Sequence, residues 1–128
     1  MKKSFATAEK RVRYLGSAKE GVGHWWWQRV SAMALIPLSI WFIASLVLLS
    51  GADYSLWRAW VQSPYVAVGM ALFMLGAIYH GVLGLQVVIE DYLPHHGSRL
   101  FWILLVNFAG WILGALSLVV FIQLFVGR

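Results

Sequence analysis

Three long apolar stretches dominate this chain: "SAMALIPLSIWFIASLVLLS" (31–50), "PYVAVGMALFMLGAIYHGVLGLQVVI" (64–89) and "FWILLVNFAGWILGALSLVVFIQLFV" (101–126). Each reaches or exceeds the ~20 residues that a helix needs to cross the hydrocarbon core of a bilayer. Inside that core every backbone N–H and C=O must find its partner within the protein, so stretches of this length can cross only as helices. The expected fold is therefore an all-α membrane protein with three transmembrane helices at about 30–50, 64–90 and 100–126. They form a single membrane domain over 24–128, preceded by an arm of residues 1–23. Composition agrees, with 61% hydrophobic and 12% charged residues, against roughly a quarter charged in soluble domains. The first stretch outlasts the ~7–15 apolar residues of a secretory signal, so it is read as a retained helix. Cysteine is absent, which excludes thiolate-bound iron–sulfur clusters, Cys-type zinc sites and disulfides from this chain.

The cations set an expected orientation. Lys2, Lys3, Lys10, Arg11, Arg13, Lys19 and Arg29 all precede or open the first helix. The positive-inside rule then puts the N-terminus in the cytoplasm and, after three crossings, the C-terminus on the periplasmic side. Residues 90–99 return to the inside with Arg99, leaving Arg58 and Arg128 outside. A membrane surface accounts for the basic leader at least as well as nucleic acid does.

The leader itself reads as a surface-lying or partly ordered arm, interrupted by Gly16, Gly21 and Gly23. After it, "HWWWQRVS" places Trp25, Trp26 and Trp27 where an interfacial aromatic belt belongs, with Arg29 able to snorkel to the headgroups. Pro37 removes one hydrogen bond inside the first helix and is expected to bend it. Trp57 and Trp60 in the external link suit an interface. Asn107, Gly110, Gly114 and Ser117 recur at helical spacing in the third helix, a small-residue stripe fit for close helix packing.

His80 is the strongly ionisable group deepest in these stretches. At about 100° per residue, Gly69, Gly76, Gly84 and Asp91 all fall within roughly 40° of it on the helix. The eleven residues from His80 to Asp91 correspond to ~16 Å of axis, about half the core thickness. If Asp91 marks the cytoplasmic interface, His80 lies near the midplane. An ionisable group at that depth marks function by default, the bland alternative being a neutral imidazole bonded to a neighbouring helix. Two functions fit: haem ligation, which needs one imidazole nitrogen and a wide groove, or proton relay, which wants further groups at similar depth. His24, His95 and His96 lie at the membrane edge, so a second axial histidine would have to come from another chain. The adjacent pair His95–His96 makes a weak metal signal on its own and is read as solvated.

"HGVLGLQVVIEDY" (80–92) resembles the signature of the small three-helix cytochrome b anchors of succinate dehydrogenase, the hydrophobic membrane anchor family, in which Asp-Tyr follows a membrane histidine at this interval; "QRVSAMAL" (28–35) resembles the start of that family's first helix. The resemblance covers nearly the whole chain in helix number, spacing and orientation. It implies one subunit of a heterotetramer, single or trimerised, in the bacterial inner membrane. In that complex a flavoprotein carrying FAD oxidises succinate, an iron–sulfur protein carries the electrons, and this chain and a second cytochrome b subunit hold haem b and bind quinone, ubiquinone being expected. Residue by residue, it implies that His80 is one axial ligand of the haem iron, that Tyr92 donates a hydrogen bond to a quinone carbonyl with Asp91 beside it, and that Arg29 lies near a haem propionate. The chain would be a non-flavin subunit of an enzyme, with no succinate-oxidising chemistry of its own. The competing expectations are the anchor of a fumarate reductase and a haem-free membrane scaffold. The roles of His24, His95, His96 and the arm stay open.

Overall fold

The computed structural model describes residues 19–126, with side chains from Val22 onward. Among the described residues four helices follow one another: α1 (Lys19–Leu48), α2 (Tyr54–Val61), α3 (Pro64–Tyr92) and α4 (His96–Val126). The segments Val22–Leu48, Pro64–Tyr92 and His96–Val126 are long and apolar enough to cross a membrane, at 27, 29 and 31 residues. At 1.5 Å per residue these exceed a ~30 Å core, so they extend into the headgroup region or tilt.

Local sequence explains several of the helix ends. α1 is already helical at Lys19, the first described residue and ahead of the expected position, and it runs on through Gly21, Gly23 and Pro37. Pro37 lacks the N–H that would reach the Met33 carbonyl, yet the flanking turns remain helical. The basic residues before Lys19, the rest of the arm and Arg128 lie outside the described residues. Beyond α1 the chain turns at Gly51, whose φ of +86° is left-handed and suits a residue without a Cβ. Asp53 then caps α2, its carboxylate accepting from the Leu56 N–H at 3.1 Å and the Ser55 hydroxyl at 2.9 Å. Hydropathy gives no sign of this short helix. Pro64 opens α3 at a position where its missing N–H costs nothing. At the other end Leu93, held extended by the following Pro94, stops the helix.

α3 is the central element, with α1 and α4 packed on it and α2 touching it near its start. α1 and α3 run antiparallel. Down their seam Gln28 lies beside Gly84, Leu35 beside Gly76 and Trp41 beside Gly69. Phe42 stacks on Phe73 with centroids 4.9 Å apart, and Trp41 stacks on Trp60 of α2 at 6.2 Å. On the other side of α3, Gly110 of α4 admits the Val82 side chain so closely that a Cβ there would sit 2.6 Å from its Cγ2. Among the described residues only Leu49, Leu83 and Ser45 are buried. This is the pattern of a protein whose apolar side chains are solvated by lipid and by neighbouring chains, with van der Waals packing and interhelical hydrogen bonds joining its helices.

Candidate functional site at the α1–α3 seam

His80 sits near the middle of α3 on the side turned to α1, and it is half-buried. Its Nδ1 is 3.0 Å from the Ser31 hydroxyl oxygen, and that hydroxyl donates to the Gln28 carbonyl, also at 3.0 Å. No hydrogen bond is made by Nε2 among the described residues. Gly81, one residue on and about 100° further round the helix, is exposed, with nothing within 4 Å of where a Cβ would stand. The flank of α3 next to the histidine is thus open at Gly81.

The three glycines that share the histidine's face do not frame an open groove. Each faces α1: a Cβ on Gly69 would lie 2.9 Å from Trp41, one on Gly76 3.3 Å from Leu35, and one on Gly84 4.0 Å from Gln28. Their work is to let α1 approach, as small residues do between membrane helices.

As a donor set this suits one ligand position of a haem: a single imidazole with one nitrogen engaged by the protein and the other without a hydrogen bond. Among the described residues the other histidines lie elsewhere: His24 reaches Gln86, six residues further along α3, and His95 and His96 follow the end of that helix. His95 and His96 are exposed, and among the described residues no group of three or more His, Cys, Asp or Glu side chains could hold a metal ion.

Asp91 and Tyr92 close α3, and Tyr92 is 80% exposed. Their helix end is tied to α4 by Arg99, whose Nε and Nη2 both donate to the Leu93 carbonyl, at 3.3 and 3.1 Å. The structure therefore presents an acid and a phenol side by side at a braced helix end, with His80 eleven residues, or ~16 Å, back along the same helix. Arg29 is placed differently. It leaves α1 about 160° away from Ser31, exposed, with its guanidinium carbon 5.6 Å from the Trp25 ring centroid. Nothing in the structure brings Arg29 to His80.

A second polar feature goes beyond the sequence expectations. His24 Nε2–H donates to Gln86 Oε1 at 3.0 Å, and Gln86 Nε2 donates to Asn107 Oδ1 at 2.8 Å, so one chain of hydrogen bonds crosses α1, α3 and α4. The available signal is that His24, Gln28 and Ser31 are spaced i, i+4, i+7, which puts three polar side chains on one face of α1. Gln86 and Asn107 also line a cleft of about 240 Å³ between α3 and α4, walled by Leu75, Val82, Gly110 and Trp111. His80 does not line that cleft.

Comparison with known proteins agrees with this architecture. Residues 3–124 match the family described as succinate dehydrogenase/fumarate reductase transmembrane subunit. The chain is 35% identical to the succinate dehydrogenase hydrophobic membrane anchor subunit of Rickettsia conorii over 90 residues, covering 70% of this chain and 71% of that one. It is 32% identical to the protein of the same name from Paracoccus denitrificans over 107 residues, covering 84% and 82%. No solved structure matches it significantly. Three membrane-length helices, a histidine midway along the central one and an Asp-Tyr pair at its end thus coincide with a match over almost the full sequence, and the chain belongs to the succinate dehydrogenase/fumarate reductase transmembrane subunit family.

Proposed function

We propose that this chain is the membrane anchor of a succinate:quinone oxidoreductase in a bacterial inner membrane, with its N-terminus cytoplasmic. In this reading it holds one side of a haem b through His80 and forms part of the quinone-reducing site with Tyr92 and Asp91. The observation that carries it is the arrangement on α3: a half-buried imidazole near the middle of a membrane-length helix, hydrogen-bonded through Nδ1 and not through Nε2, eleven residues from an exposed Asp-Tyr pair. A flavoprotein, an iron–sulfur protein and a second cytochrome b chain are the partners in this reading, and the last would supply a second ligand to the haem. When bound, haem supplies a one-electron redox centre whose potential depends on its axial ligands and their hydrogen bonds.

The chain's own chemistry concerns the quinone. Reduction to quinol takes two electrons, from the iron–sulfur partner, and two protons. The Tyr92 hydroxyl donates to a quinone carbonyl, polarising it as negative charge develops on that oxygen. Asp91, on the same exposed helix end, accepts and passes protons from the aqueous side, so no path through the bilayer is needed. The bracing of Leu93 by Arg99 holds this end at a fixed depth. The family covers both succinate- and fumarate-linked complexes, and the Rickettsia and Paracoccus relatives are named for succinate dehydrogenase, which favours that direction.

The test uses the assembled complex. His80→Ala should abolish or strongly perturb the haem b absorbance in a reduced-minus-oxidised spectrum; an unchanged spectrum rejects the ligand role and favours a scaffold. Tyr92→Phe should slow quinone reduction by about tenfold or more while leaving succinate oxidation by a soluble artificial acceptor intact. Equal loss of both activities would count against the quinone role.

A further inference from the structure

Ser31 has no part in the function proposed so far, yet among the described residues its hydroxyl is the one protein group hydrogen-bonded to the His80 ring. A hydroxyl has a single proton to give. Two neighbours lie at 3.0 Å from its oxygen: the Gln28 carbonyl, which can only accept, and His80 Nδ1, which accepts in one neutral tautomer and donates in the other. Were the proton directed at Nδ1, the hydroxyl oxygen would face the carbonyl oxygen as two acceptors at hydrogen-bond distance, which is repulsive. Only one assignment makes both contacts attractive. The hydroxyl donates to Gln28, and Nδ1–H donates to the hydroxyl.

We propose that Ser31 is a positioning residue for the His80 ligand: by accepting from Nδ1–H it fixes the tautomer that leaves the lone pair on Nε2, locks the ring's rotation, and raises the basicity of Nε2 toward iron. This rests on the reading of His80 as an axial ligand. The physical parts are independent of it. A neutral imidazole carries its proton on one nitrogen, and whichever nitrogen donates a hydrogen bond leaves the other as the base. A ligating histidine whose second N–H is held by an acceptor is better oriented and a stronger donor. Ser31 is itself well held, since its hydroxyl is anchored one turn back on the same helix and its Cα belongs to the helix that Gly76 and Gly84 admit to close contact. The polar partner is thus carried by α1, and the ligand by α3.

The test compares Ser31→Thr, which keeps the hydroxyl, with Ser31→Val, which matches threonine in size and lacks it. Both are made in the assembled complex, with His80→Ala in parallel. The readouts are haem per complex and the haem midpoint potential in a redox titration, neither of which depends on turnover. Loss of the acceptor makes Nε2 less basic, which weakens ferric binding more than ferrous. Each tenfold change in that ratio reads as an upward shift of ~59 mV for one electron. The expected result is that Ser31→Val raises the potential and retains less haem, while Ser31→Thr stays close to the unaltered complex. If His80→Ala removes the haem but Ser31→Thr and Ser31→Val titrate alike, the positioning role is wrong and the ligand assignment stands. If His80→Ala leaves the haem in place, both fall.

Discussion

Asp53 shows how much a single side chain settles outside the membrane. Hydrogen bonds from the Leu56 amide and the Ser55 hydroxyl hold its carboxyl below the ordinary value of 3.8, because both donors favour the charged form. A carboxyl depressed by folding contributes stability that is complete above its unfolded value and is lost as pH falls through the folded one. The protection of the Leu56 amide against hydrogen exchange should accordingly decline as pH drops below about 3.8. Asp53→Asn, which caps nearly as well without ionising, should keep a flat profile; an equal decline in both would show that the cap is not the titrating element. Single residues are legible in the sequence where chemistry alone marks them. His80 stands out as an imidazole in hydrocarbon, and Asp91–Tyr92 as polar groups where apolar sequence ends. Ser31 and His24 do not stand out. A serine near a helix start and a histidine beside tryptophans look ordinary until the rotation of α1 against α3 is known, and one helix's periodicity carries no information about another's rotation.

Elements of membrane length are readable because a bilayer imposes their size, and the structure has all three. Their ends are less so. α1 is helical from Lys19, the first described residue, through polar sequence that hydropathy cannot register, and α2 escapes because eight residues fall below any spanning criterion. Its signals are nonetheless written in the chain: a glycine for the left-handed turn at 51 and an aspartate cap at 53. The sharpest packing test is between α3 and α4. Gly110→Ala would drive a methyl to within 2.6 Å of Val82 Cγ2, and a β-branched side chain in a helix has almost no other rotamer to adopt. Overpacking of this kind costs about 1–3 kcal/mol. Thermal denaturation of the purified complex should show Gly110→Ala destabilised and the double variant with Val82→Ala largely restored; failure of the second change to rescue would mean that α4 meets α3 elsewhere.

The three spanning helices bury almost nothing among themselves, so what gives the bundle a unique arrangement is its interior polar chain and its glycine seams. Gln86 is the shared member, accepting from His24 of α1 and donating to Asn107 of α4. Replacing it with leucine removes both bonds at once, and at roughly 0.6 kcal/mol for an average interhelical bond in a membrane the loss should be near 1 kcal/mol. His24→Ala and Asn107→Ala should each show part of that loss in the same denaturation assay, and a Gln86→Leu complex as stable as the parent would show that glycine packing alone fixes the helices. Arg99 has a different consequence. Because its two bonds to the Leu93 carbonyl weld the end of α3 to the opening of α4, the Asp-Tyr pair takes its height from the next helix as well as from its own. Chimaeras that trade helices between related anchors should therefore splice outside this corner, carrying residues 86–107 as a single cassette. A junction cut through Pro94 would separate the phenol from the strut that sets it.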